Sequence, residues 1–232
     1  MKQFICVSLI WVCALSVSAQ SAEQVVAKLK AKLLSVKDYE AKGQLKTDVA
    51  FLKIPISAVR ILYRYPDMFS IKKDGGISVL PKGGIRVNMN SLLSDGDFTA
   101  LDAGRINWKG ADLSVIKLLP LDETGDIVLS TLYVDDKQMV IRRSVTTTKE
   151  NGTYEMEMDY GKYAQWGLPD KAVMLFSTKD YKLPKGITFE YDAGVGNKPK
   201  DPKPIGKKGR IEITYSSYAI NKGIPKESFS GK

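Results

Sequence analysis

The chain contains no histidine. This removes the general base of a Ser-His-Asp or Cys-His hydrolase and the imidazole of nearly every His-ligated zinc or iron site. Its two cysteines, Cys6 and Cys13, both fall in an apolar N-terminal run. Two carboxylates suffice for glycoside hydrolysis, but the acids here stand in turns (Asp74, Asp135, Asp136) or along one polar strand face (Glu155, Glu157, Asp159), where solvation is their ordinary state. Asp122, Glu123 and Asp126 lack the regular oxygen spacing of a calcium loop. Gly75-Gly76 and Gly83-Gly84 precede no helix and match neither dinucleotide nor P-loop spacing. The expectation is a protein without catalysis, metal or cofactor. A histidine-free carbohydrate-active enzyme is the catalytic alternative, and it requires two inward-facing acids.

The residues with a usable pattern are apolar. In Tyr154–Tyr160, Tyr154, Met156, Met158 and Tyr160 share one face and Glu155, Glu157 and Asp159 the other, because successive strand side chains point to opposite sides. In Ile56–Tyr65 the inward set is Val59, Ile61, Tyr63 and Tyr65, with Ser57, and Arg60 and Arg64 fall on the opposite face. Met174 and Phe176 lie in a third run, 172–177, that is apolar on both sides and is expected at the centre of a sheet. Methionine adapts its shape, so a methionine-rich face suits varied apolar partners; an ordinary filled core is the other reading of the same residues.

These faces need strands to carry them. Asp126–Tyr160 reads as a three-stranded meander: Ile127–Val134, a turn at Asp135-Asp136-Lys137, Met139–Thr148, a hairpin at Glu150-Asn151-Gly152, then Tyr154–Tyr160. Upstream, Tyr39–Phe51, Ile56–Tyr65, Met68–Lys72, Ile77–Leu80 and Ile85–Val87 read as strands, with Lys53-Ile54-Pro55 as a break. Asn90–Leu93 and Asp97–Ala103 read as two short helical pieces, Asp97 capping the second. Leu113–Leu119, Ile187–Tyr191 and Ile211–Tyr218 complete the strands. In Ala22–Leu34, Val26, Leu29 and Leu33 recur at helical spacing with Lys28, Lys30 and Lys32 between them. This amphipathic helix is expected to lie on its own sheet, with a membrane surface as the alternative.

Met1–Ala19 has a charged start, an apolar run over Phe4–Leu15 and small residues at Val17-Ser18-Ala19, the layout of a secretory signal cleaved after Ala19. The expected organisation is a signal peptide, 1–19, and one exported, periplasmic domain, 20–232, free of cysteine. The net charge is +9, and part of it lies in an irregular loop, 192–210, with Lys198, Lys200, Lys203, Lys207 and Lys208. Export argues against nucleic acid as the partner, so the loop is expected to dock on anionic lipid or an acidic receptor.

The order of motifs resembles the periplasmic outer-membrane lipoprotein carrier family, the LolA-like proteins. The matching pieces are the N-terminal amphipathic helix, YRYPDMF at a strand end, NSLLSDGDF, a strand ending IKLLP, the meander, and ITYSSYAINKGIPKESF with Tyr218, Asn221 and Gly223. The resemblance implies a mainly β fold, a strongly curved incomplete antiparallel barrel covered by an N-terminal helix and a short helical lid, which encloses a cavity for acyl chains. It implies a monomeric carrier of acylated lipoprotein or lipid. The wall would comprise Val59, Ile61, Tyr63, Tyr65, Tyr154, Met156, Met158, Met174 and Phe176, and the lid Leu92 and Leu93. The family's lid-latching arginine directly precedes the proline; Tyr65 holds that place here, and Arg64, one residue earlier, is expected to point away from the cavity. Free lipid or glycolipid as cargo, or an envelope adaptor with a filled core, are the alternative functions.

Overall fold

In the computed structural model of the protein, residues 21–49, 52–73, 93, 97–122, 124–150, 152–177 and 208–229 are described. Helix α1 (Ala22–Leu34) is fixed by a reciprocal cap: Gln24 N–H donates to Ser21 Oγ (3.3 Å) and Ser21 N–H to Gln24 Oε1 (3.4 Å). Ala22, Val25, Val26, Leu29 and Leu33 form its buried stripe, the periodicity that its sequence predicts.

The rest is antiparallel sheet. The strands are β1 (Asp38–Val49), β2 (Leu52–Arg64), β3 (Met68–Lys73), β4 (Phe98–Trp108), β5 (Ala111–Pro120), β6 (Ile127–Asp135), β7 (Val140–Thr148), β8 (Thr153–Asp159), β9 (Lys171–Ser177) and β10 (Lys208–Ile220). They form one sheet in the order β3-β2-β1-β10-β9-β8-β7-β6-β5-β4. Among the described residues its edges β3 and β4 do not pair with each other, so it is an open half-barrel rather than a closed one. The meander β6-β7-β8 is as expected, and β9, apolar on both sides, sits between β8 and β10.

Three expectations are corrected. The chain does not break at Pro55: Leu45 pairs with Ser57 and Thr47 with Ile54, so Pro55 and Ile56 oppose Lys46 in a bulge, where a missing N–H costs no ladder bond. Residues 98–103 are not helical and Asp97 caps nothing; they open β4, paired with β5 from Phe98↔Pro120 onward. As an edge strand β4 buries only Ala100 fully, so it lacks the alternation that marks a strand. The loop 192–210 ends earlier than its composition suggests, because β10 begins at Lys208, paired with Ser177. The expected strands at 77–80, 85–87 and 187–191 and the signal segment lie outside the described residues.

Cross-strand partners share a face, and the registers trace one continuous concave surface. It runs from Ile61 in β2 through Ala41 in β1, then Ile213 in β10, Ala172 in β9 and Met158 in β8, to Ser144, Leu132, Ile116 and Leu118 in β7 to β5. The opposite, convex face carries ion pairs: Arg60–Glu40 (2.8 Å), Lys171–Glu212 (2.9 Å), Lys109–Glu157 (2.6 Å) and Arg143–Glu155. Glu155 and Glu157 of β8 are thus engaged on the outside.

The C-terminal segment clasps the sheet where α1 turns into β1. Asn221, at φ 55°, accepts the Lys37 N–H (2.7 Å) on Oδ1 and donates from Nδ2 to the Ser35 carbonyl (3.0 Å). The largely buried Asp38 carboxylate accepts the N–H groups of Lys222 (2.9 Å) and Gly223 (3.0 Å). Gly223 sits at φ 80°, a left-handed conformation that glycine adopts without steric cost. The Tyr-x-x-Asn-x-Gly ending is therefore a structural lock.

Candidate functional site

The concave surface divides into two clusters of buried side chains. Val59, Ile61 and Tyr63, each at most 2% exposed, belong to the cluster around Val36, Tyr39, Ala41, Leu45, Ile71, Leu168 and Ile213. Met156, Met158, Met174, Phe176 and Leu93 belong to the other, with Tyr154 packed against it, and α1 lies across that cluster through Val25, Val26, Leu29 and Leu33. Seven of the nine expected wall residues are therefore buried on one face of one sheet, and Tyr154 is half-buried there. Tyr65 lies past the end of β2, 42% exposed, with the Lys37 ammonium 5.4 Å from its ring centre. Leu93 is buried among the wall residues, whereas Leu92 and Lys198, Lys200, Lys203 and Lys207 lie outside the described residues. Lys208 opens β10.

Each wall side chain is held by its strand register. Met156 pairs with Met174 and Tyr154 with Phe176 across β8 and β9, so sulfur and ring surfaces meet side by side. Gly209 makes the Phe176 pose possible, since a Cβ there would stand 2.5 Å from the ring. Tyr160 extends the β8 face beyond the strand, donating its hydroxyl to the Ile141 carbonyl (3.0 Å).

The surface has a polar strip that was not read from the sequence. Ser130, Ser144 and Thr146 are buried on the concave side of β6 and β7, and the Ser130 and Thr146 hydroxyls share a hydrogen bond of 3.0 Å. The alternation Ser144, Thr146, Thr148 against Arg143, Val145, Thr147 carried that signal, because the set next to the apolar face is the smaller and less charged one.

A second unread feature is a tyrosine stack under the C-terminal clasp. Ring centres lie 5.3 Å apart for Tyr39–Tyr63, 5.4 Å for Tyr39–Tyr218, 4.8 Å for Tyr163–Tyr218 and 5.1 Å for Tyr215–Tyr218. Burial is the main cause that pushes the phenols of Tyr39, Tyr160, Tyr215 and Tyr218 above the usual tyrosine range.

Arg64 points away from the wall, as its parity with Tyr63 requires. Its Nη1 donates to the Ile224 carbonyl (2.7 Å), and Lys72 Nζ donates to the Ser228 carbonyl (2.7 Å). Both cations hold the C-terminal segment.

Between α1 and β7 lies a crevice of about 10 Å³, lined by Leu29, Lys32, Leu33, Met139, Val140, Ile141, Tyr160 and Gly167. That is room for about one water. Lys32 closes its rim by donating to the Gln138 carbonyl (2.6 Å), and burial lowers the proton affinity of its ammonium against an opposing pull from Asp135.

An open antiparallel half-barrel with an N-terminal helix on its concave face is an arrangement found in solved structures. A LolA superfamily protein from Nitrosomonas europaea superposes with a TM-score of 0.55 at 10% identity, over 91% of this chain and 98% of that one. The chain has the LolA-type fold. A DUF1329 family protein from Desulfovibrio piger gives 0.55 at 7% identity over 91% and 98%. A domain named for outer membrane lipoprotein sorting, from Vibrio parahaemolyticus, gives 0.52 at 12% over 90% and 95%. No protein-family profile matches the sequence, and no curated protein matches it significantly. Among the described strands of this LolA-type fold, β3 and β4 form the two opposite edges of the sheet.

Proposed function

We propose that the protein is a periplasmic carrier that holds acyl chains of a lipoprotein or lipid against its concave face. The carrying observation is the seating of α1. Its apolar stripe packs into one buried cluster with Met156, Met158, Met174 and Phe176, while its one side-chain hydrogen bond to the rest of the chain beyond Ser35, among the described residues, is Lys32 to Gln138. An apolar cylinder on a methionine-rich trough is the geometry an acyl chain would adopt there, stabilised by about 0.8 kcal/mol per buried CH₂.

In this reading α1 and cargo compete for one surface. Cargo enters as α1 shifts, with Leu93 and its neighbour Leu92 as the adjoining cover, and release follows when α1 returns. The lysines at 198, 200, 203, 207 and 208 would guide transient docking to an anionic membrane or an acidic receptor. Residues 1–19 would direct export, and 20–232 would act as a single domain.

The narrow crevice favours a second reading, an envelope adaptor with a permanently filled core. Native mass spectrometry of the full chain purified from its own envelope fraction separates the two. The carrier is expected to bring acyl-bearing adducts with it. Their absence, together with failure to bind an added long-chain fatty acid, would leave the adaptor.

A further inference from the structure

Among the described residues, Arg142 of β7 has a buried Nε with no hydrogen-bond partner. The register shifts between Tyr133 and Val134: Tyr133 pairs with Arg143 and Val134 with Ile141, so Arg142 is the extra residue of a bulge. Bulges commonly re-aim a side chain. Arg143, its neighbour, faces out to Glu155 and lies 4.8 Å over the Tyr133 ring. Arg142 alternates with Arg143 and shares the parity of Ser144, which pairs with Met156 on the buried face, and its charge opposes the effect of burial on the Tyr160 phenol.

The surroundings of Arg142 are unusual in charge. Its Nε is shut off from solvent and has no acceptor, and among the described residues no carboxylate pairs with it. A sequestered guanidinium donor without an acceptor is costly. Lys32 lines the same crevice as Tyr160 and Ile141, so a second cation borders the place that Arg142 adjoins. The floor there is Leu29, Leu33, Val140 and Ile141, and Met158 receives a 3.5 Å contact from the Tyr160 hydroxyl. Lys32 thus lines the crevice, and Arg142, next in sequence to the lining residue Ile141, stands beside it with no acceptor for its Nε.

We propose that Arg142 is the headgroup anchor of the cargo site, taking a phosphate or carboxylate at the end of an acyl chain that lies on Met158 and its neighbours. Guanidinium is suited to this because it presents a fixed fork of donors to a planar or tetrahedral anion. The inference rests on the acyl-carrier reading and adds a chemical class: the preferred cargo is an anionic amphiphile rather than a neutral one.

The test compares a long-chain fatty acid, its methyl ester and inorganic phosphate as ligands of the purified full chain, its Arg142→Gln variant and its Arg142→Lys variant. The acid is expected to bind about tenfold more tightly than the ester. Arg142→Gln should erase that preference with ester affinity unchanged, and Arg142→Lys should keep part of it. The Lys variant also covers the case in which Arg142→Gln folds poorly. Equal binding of acid and ester by the natural chain, or a preference that survives Arg142→Gln, overturns the anchor and leaves the acyl reading standing. Phosphate binding that depends on Arg142 and does not compete with fatty acid overturns it in favour of a free-anion site. Binding of neither acid nor ester overturns both.

Discussion

The two halves of the concave face are both buried, yet they are closed in different ways. Around Tyr39, Tyr63, Tyr215 and Tyr218 the closure is built from the sheet itself. Rings interlock, the Tyr218 hydroxyl donates to the Pro169 carbonyl (2.7 Å), and Asp38 and Asn221 tie the chain ends together. Around Met156, Met158 and Met174 the closure is a separate helix that contributes apolar contact and little else. Directional bonds specify one arrangement, whereas apolar contact between flexible side chains tolerates replacement of one partner by another. In the carrier reading proposed above, the tyrosine half is the frame and the helix-covered half the place for exchange.

High pH should separate the halves most strongly. The buried phenols with raised proton affinity are Tyr39, Tyr215 and Tyr218 in the tyrosine half, against Tyr154 and Tyr160 in the helix-covered half. The folded state therefore holds protons that the unfolded chain releases above pH about 10, most of them in the tyrosine half. Their contribution is complete below that pH and is lost as pH rises past it. Hydrogen exchange is expected to show β1, β2 and β10 losing protection in base before β5 to β7. Simultaneous loss across the sheet would contradict the division.

Tyr63→Ala comes next, at about 3–5 kcal/mol of stability for a fully buried aromatic ring, read by denaturant midpoint with acyl affinity of the remaining folded protein unchanged. Leu29→Ala, at the centre of the α1 stripe, should cost about 2–5 kcal/mol but raise acyl affinity, because it weakens the competitor for the trough. Lower or equal affinity would show that α1 is core rather than cover. The mildest variant is Ser21→Ala, which removes the cap of α1 for about 1 kcal/mol and should raise affinity in the same direction by less.

Elements that repeat their period cleanly were legible in the sequence. The α1 boundaries follow from apolar spacing, the β6-β7-β8 meander from β-rich runs with turn residues between them, and the outward turn of Arg64 from strand parity. Legibility failed where another constraint governed. Residues 98–103 contain Leu, Asp and two Ala that suit a helix, and only pairing with β5 makes them a strand. Pro55 reads as an interruption until the bulge opposite Lys46 absorbs it. The burial of the candidate residues on β2, β8 and β9 could be read because polar and apolar residues alternate there. Tyr65 shares parity with Tyr63 but falls after the strand has ended, where parity no longer places a side chain. The tyrosine stack joins residues from β1, β2, β10 and the turn at Ala164–Trp166, and contacts that far apart leave no local pattern.

The position of β10 between β1 and β9 also orders assembly in time. Strands β1 to β3 meet β4 to β9 only through β10, so a chain emerging from its N-terminus can form a three-stranded piece and a six-stranded meander independently. Neither can be joined to the other until residues 208–220 arrive. Long-range pairing of this kind slows folding, and it leaves the edges of β1 and β9 unpaired until synthesis is almost complete, when those edges are open to wrong partners.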